Sequence, residues 1–221
     1  MEQVSVFSFG RKQSARCQNK MLRGFADTTL TDIVLAKLSR LSHPAFFAGH
    51  EPEFAEKCLA HGVPFIARSQ RSATIDEPIV DILDFLKPIQ SRFFVIVSAC
   101  LPLLPLADIQ NFIDQSLASG KPSMSARMHR TYFLRARDHA PLSFDGTSQT
   151  INTKTVEPVY ELVHALYFFE KDFFFKNGRY WNWGDLRMHD MASPHFLVDV
   201  DTEQDFIAAE SLYRAFGNAA A

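Results

Sequence analysis

The first apolar run, Val4-Ser5-Val6-Phe7-Ser8-Phe9, is short and closed by Gly10, which predicts a buried strand. From Thr29 to Leu41 the apolar positions are Leu30, Ile33, Val34, Leu38 and Leu41. That three-four spacing predicts a helix with one face on the core, and Thr29 or Thr31 can cap its start. Ala45 to Ala48 reads as a second strand ended by Gly49. Glu53 to Leu59 reads as a short helix stopped by Gly62, and Val63 to Ala67 as a third strand. Pro78 to Leu86 reads as a helix with proline in its first turn. Phe93-Phe94-Val95-Ile96-Val97 is apolar at every position, as a strand buried on both faces of a parallel sheet must be. Leu106 to Leu117 completes the series as a helix, with Gly120 beyond its end.

Strands alternating with helices predict an α/β fold: a largely parallel sheet, right-handed crossovers and helices on both faces. In such sheets ligands sit beyond the carboxyl ends of the strands. The loops after Phe9 and after Val97 are therefore the first candidate sites. From about Arg127 the periodicity fades, and turn signals appear at Asp138-His139, Asp145-Gly146 and Asn152. This predicts an extended excursion from the main sheet over residues 127–160, suited to pairing subunits. Val163 to Phe169, Leu186 to Met188 and Phe196 to Val200 then read as strands, and Glu203 to Phe216 as a closing helix. The whole of 1–221 is read as one domain.

Composition narrows the chemistry. Hydrophobic residues make up 47% and charged residues 22%, as in ordinary globular chains. A net charge of −2 gives no overall footprint for nucleic acid. No apolar stretch is long enough to span a membrane, and Met1 to Phe9 does not read as a leader. Cys17, Cys58 and Cys100 form neither a disulfide framework nor a zinc motif, which points to a reduced, cytoplasmic protein. The 21 phenylalanines fill either the core or a subunit contact; Phe168-Phe169 and Phe173-Phe174-Phe175 suit both readings. The histidines form no HExxH, and GxSxG is absent.

Two segments carry candidate chemistry. The loop after the first strand holds Arg11, Lys12, Ser14, Arg16 and Lys20. Backbone N–H groups at such a turn, with arginine and lysine beside them, suit a triphosphate, although a solvated basic loop looks the same on charge alone. No Walker or GxGxxG pattern is present. Near the other end stands Asp199-Val200-Asp201-Thr202-Glu203-Gln204-Asp205. On a strand, residues two apart share a side, so Asp199 and Asp201 can face one cation. Thr202 and Asp205 equally match a capping box that starts the last helix.

The spacing Arg11-x-x-Ser14-x-Arg16-x-x-x-Lys20-x-Leu22 resembles the loop of the sugar-acid cytidylyltransferases, the CMP-sialic, CMP-legionaminic and CMP-Kdo synthetases. The Asp-x-Asp-Thr-Glu-x-Asp run followed by Ala209-Glu210 resembles that family's closing motif. The resemblance implies a three-layer Rossmann-like nucleotidyltransferase fold and a homodimer. It implies transfer of CMP from CTP to a sialic-acid-like 2-keto sugar acid, with Mg²⁺ on Asp199 and Asp201. Gly10, Arg11, Ser14, Arg16 and Lys20 would hold the triphosphate, with Arg11, Arg16 and Lys20 offsetting its charge. Arg68 and Asp76, which resemble the family's Arg-Pro…Asp-Thr stretch, would close over the nucleotide. Asn152, Lys154 and Tyr160 would bind the sugar acid, and His164-Ala165-Leu166-Tyr167 resembles a Gly-Ala-x-Tyr strand.

Two departures stand out. Gln18-Asn19 replaces the usual Pro-Gly before the lysine. Ser98 to Leu104 keeps a Pro-Leu pair but lacks the Gln and Arg of the sialic acid synthetases. Three other readings stay open: a nucleotidyltransferase with another nucleotide or acceptor, an inactive scaffold, and a metal-dependent glycosyltransferase.

Overall fold

The computed structural model describes residues 2–150, 152–191 and 197–220. Among these residues seven strands form one sheet: β1 (Glu2–Phe9), β2 (Ala45–Gly49), β3 (Phe65–Ala67), β4 (Ser91–Val97), β5 (Ser123–His129), β6 (Val159–Glu170) and β7 (Arg187–Asp190). Their order across the sheet is β3-β2-β1-β4-β6-β5-β7. Strands β1 to β4 run parallel, with Phe7 beside Phe46 on one side and Ile96 on the other. Of these seven strands β6 is the reversed one: it pairs antiparallel with β4 and β5, while β5 and β7 are parallel.

The helices are α1 (Leu30–Leu38), α2 (Pro52–His61), α3 (Gln70–Thr74), α4 (Ile79–Ile82), α5 (Leu106–Ser119), α6 (Lys171–Asn177) and α7 (Glu203–Ala220). Strand residues alternate between two cores. Val4, Val6, Phe93, Val95 and Val97 pack with Leu35 of α1, Phe54 of α2, Phe112 of α5 and Phe206 of α7. Phe7, Phe46, Phe94 and Ile96 pack with Leu83, Phe85, Leu86 and Phe174 of α6. The result is three layers. It also explains why β4 is apolar from Phe93 to Val97: both its faces are covered there.

The local signals that place α1 and α7 are realised. Thr29 Oγ1 accepts from the Asp32 N–H at 3.1 Å. Thr202 and Asp205 exchange bonds, the Thr202 N–H reaching Asp205 Oδ2 at 2.8 Å and the Asp205 N–H reaching Thr202 Oγ1 at 3.2 Å. Gly62 and Gly120 end α2 and α5 at φ of 65° and 64°, in the left-handed region. Phe168, Phe169 and Phe174 are buried within this chain, which decides for the core reading of those rings.

Two expectations need correction. Among the described residues, Leu197–Val200 is not a strand; it runs past the end of β4 with the Val200 N–H bonded to the Cys100 carbonyl at 2.9 Å. Phe196 lies outside the described residues. Pro78–Leu86 is not one helix but α4 followed by a 3-10 turn over Asp84–Leu86. Strand β5 and helix α6 carried no clear signal in the sequence. Among the described residues, no helix is long and apolar enough to cross a membrane.

Candidate nucleotide site

At the carboxyl ends of β1 and β4 lies a cleft of about 590 Å³. Its walls include Gly10, Arg11, Ser14, Arg16, Lys20, Arg68, Asp76 and Asp201. The two charged segments from opposite ends of the chain thus meet on one cavity. Asp201 Oδ1 accepts from Arg16 Nη2 at 3.0 Å and lies 3.4 Å from Lys20 Nζ. Lys20 Nζ also donates to the Val200 carbonyl. Burial opposes the Lys20 charge, but Cys100, Asp201 and Asp199 outweigh it and hold the ammonium above its ordinary value.

Gly10 closes β1, and its N–H bonds to the Ala48 carbonyl at 3.0 Å. A side chain there would come within 3.0 Å of the Phe47 ring and 3.2 Å of Phe54. Close approach is therefore what requires glycine. Asn19, which replaces the glycine of the resembled loop, sits at φ 52°. Asparagine tolerates that region better than most residues, and its carbonyl accepts the Leu22 and Arg23 N–H groups. The turn that presents Lys20 is thereby formed without Pro-Gly. Arg23 fastens the loop to α7 through Glu203, at 2.9 and 2.7 Å.

Arg11 and Arg68 behave differently. Arg11 bridges the cleft mouth to Asp76 at 2.7 Å, in an exposed pair. Arg68 is buried, with its guanidinium donating to the Gly10 carbonyl, Ser72 Oγ, the Ser72 carbonyl and the Ile82 carbonyl. Burial, with the Arg11 charge, lowers it to about 10. Its donors tie the loop after β1 to the α3–α4 segment. The sequence did not indicate that Phe9, Met21, Ile75, Ile79 and Ile82 also line the cleft, because they read as ordinary core residues.

Asp199 Oδ1 is buried without a hydrogen-bond partner among the described residues. Burial, reinforced by the Asp201 charge, raises its carboxyl above the usual range, against the pull of Lys20 and His164. An orphaned buried carboxylate oxygen that feels a second carboxylate has the donor chemistry a hard divalent cation can use, although Asp199, unlike Asp201, does not line the cleft. No group of three or more His, Cys, Asp or Glu side chains gathers among the described residues. A cation held by this pair would take its remaining ligands from phosphate and water.

Asn152, Lys154 and Tyr160 do not line this cleft. Asn152 borders a separate cavity of about 230 Å³ inside the excursion, with Tyr132, Phe144 and Asp145. The Lys154 N–H caps back on Asn152 Oδ1 at 3.0 Å, and Tyr160 is exposed on β6 opposite Met128.

No family model matches the chain, and no curated protein matches it. Solved structures do. A CMP:2-keto-3-deoxy-manno-octonic acid synthetase complexed with CTP superposes with a TM-score of 0.73 at 10% identity, over 97% of this chain and 99% of that one. A 4-diphosphocytidyl-2C-methyl-D-erythritol synthase from Anaerococcus prevotii gives 0.67 at 12% identity, over 96% of both chains. The chain has a nucleotidyltransferase fold. A cytidylyltransferase from Leptospira borgpetersenii gives 0.63 at 14% identity, over 98% of this chain and 88% of that one. At these identities the likeness establishes the nucleotidyltransferase fold alone. The chemistry rests on the cleft.

Proposed function

We propose that the chain is a cytidylyltransferase that joins CMP from CTP to a sialic-acid-like 2-keto sugar acid and releases pyrophosphate. The observation that carries the reading is the convergence of Arg16 and Lys20 with Asp201 on one cleft beyond β1 and β4. A triphosphate needs cations along its length and a divalent ion to complete its neutralisation; Arg11, Arg16 and Lys20 line this cavity together with Asp201, while Asp199 stands two residues behind it.

Gly10, Ser14 and the loop around them would face the phosphates, while Arg11, Arg16 and Lys20 offset charge on the β- and γ-phosphates as it builds on the leaving pyrophosphate. Arg68 holds the shape of the loop, and Asp76 restrains Arg11. Asp199 and Asp201 would hold Mg²⁺, which supplies Lewis-acid polarisation of the α-phosphate when bound. The anomeric hydroxyl oxygen of the acid would give up its proton to water and bond to the α-phosphorus as the bond from that phosphorus to the β-phosphate oxygen breaks, releasing pyrophosphate. By the resemblance, Asn152, Lys154 and Tyr160 of the excursion would bind the sugar acid, reaching it from outside the cleft lining. The excursion's exposed Leu134 and Leu142 fit a contact between two copies of the chain.

A second reading, the same chemistry with another acceptor, is favoured by Ser98–Leu104, which lacks the Gln and Arg of the resembled loop. A pyrophosphate-release screen separates the two, pairing CTP with a panel of 2-keto sugar acids and of phosphorylated polyols. Turnover with a sugar acid supports the first reading. Turnover with polyols alone replaces it by the second, and silence with every nucleotide sinks both.

A further inference from the structure

Lys37 lies in the last turn of α1, where the helix faces the core, and is only 6% exposed. Leu35 and Leu38 beside it share a core cluster with Leu101 and Leu104 of the loop after β4. Its ammonium donates to the Pro102 carbonyl at 2.6 Å and has no other hydrogen-bond partner among the described residues. Burial lowers it to about 7. One hydrogen bond does not compensate an ammonium taken out of water, so a methionine would suit the packing better.

The Pro102 carbonyl belongs to the segment that departs from the resembled pattern. Two residues earlier, Cys100 lines the cleft, and its carbonyl accepts the Val200 N–H at 2.9 Å. Val200 stands between Asp199 and Asp201, and its own carbonyl accepts from Lys20. A continuous line therefore runs from Lys37 through Pro102 and Cys100 to the carboxylate pair.

We infer that Lys37 is a positioning residue: by gripping the Pro102 carbonyl it fixes the loop after β4, and through the Cys100–Val200 bond it sets where Asp199 and Asp201 stand. The inference rests on the assignment of that pair to a divalent cation. It also gives the departing loop a role, since here the loop's backbone is held from behind by a buried cation.

The test uses the full chain with Lys37→Met and Lys37→Leu. Circular dichroism and thermal melting should show both folded, with a melting temperature no lower than that of the parent protein. Mn²⁺ titration followed by electron paramagnetic resonance, with CTP present, should show metal affinity falling about tenfold or more. In pyrophosphate release, kcat should fall by a similar factor while KM for CTP stays within twofold. A folded variant with unchanged Mn²⁺ affinity and kcat overturns the inference alone. Loss of folded structure in both variants also overturns it, because Lys37 would then serve the core. Absence of Mn²⁺ and CTP binding in the parent protein overturns the functional reading, and the inference with it.

Discussion

Around the cleft, residues 11–26 are bonded repeatedly to residues 199–210: Arg16 to Asp201, Lys20 to Val200, Arg23 to Glu203 and the Ala26 N–H to Glu210. In the excursion, beyond the ends of β5 and β6, the side-chain bonds are short in sequence: Arg135 to Asp138, Thr147 to Asp145, the Lys154 N–H to Asn152, and Ser143 Oγ to the Thr131 carbonyl. The cleft is therefore closed by contacts between segments about 180 residues apart in the chain, whose pairing is non-local. The excursion is a set of self-contained turns on a long stalk of β5 and β6. A site for the invariant half of a reaction suits the first construction. A site for the variable partner suits the second, since such turns tolerate change without disturbing the sheet.

The largest effect that sharpens this contrast should come from Lys20→Met or Asp201→Asn. Each removes a charge from the point where the two chain ends meet, and pyrophosphate release should fall roughly 100-fold or more. Full activity in Asp201→Asn would remove the metal assignment. A smaller change should follow in the excursion. Asn152→Ala with Lys154→Ala should raise KM for the sugar acid about tenfold, the value of one charge-assisted hydrogen bond, and leave KM for CTP unchanged. If CTP binding moved as well, the two regions would not be separable.

The pH dependence of stability gives a third handle. Lys37 is held near 7 in the folded chain, below its ordinary 10.5. Between those values the unfolded chain binds the extra proton, so this group makes stability rise with pH across that window and lowers it most at pH 7 and below. Lys37→Met should flatten that rise, and melting curves at pH 6.5 and 9 will show it. The smallest effect belongs to Asp76→Asn. The Arg11–Asp76 pair is exposed, with Asp76 at 82%, and pairs of this kind contribute little. CTP affinity should change less than threefold; a tenfold loss would mean that Asp76 itself meets the nucleotide.

Much of this molecule is written locally in its sequence. The two-faced burial of β4, the three-four spacing of α1 and the Thr202–Asp205 box all follow from residues within one element. Strand β5 escaped because Ser123 to Ala126 are buried on both faces, and two of these four buried residues, Ser123 and Ser125, are polar. Ser125 Oγ donates to the Val163 carbonyl and accepts the Leu166 N–H, so a polar letter stands where period-two reading expects an apolar one. The charges of the cleft were legible; their partners were not. Nothing in the spacing tells that Arg68 turns inward onto carbonyls while Arg16, five residues from Arg11, reaches Asp201. Lys37 likewise sits amid a helical apolar pattern with no local sign that its ammonium faces a proline carbonyl 65 residues away.

Calorimetric titration of CTP into the protein with Mg²⁺ present, set beside the same titration of Lys20→Met, tests the nucleotide cleft most directly. The cleft as described predicts saturable binding below millimolar CTP, weakened at least tenfold when Mg²⁺ is withheld and at least tenfold by the substitution. No heat of binding at millimolar CTP, or equal binding by the Lys20→Met variant, would contradict it.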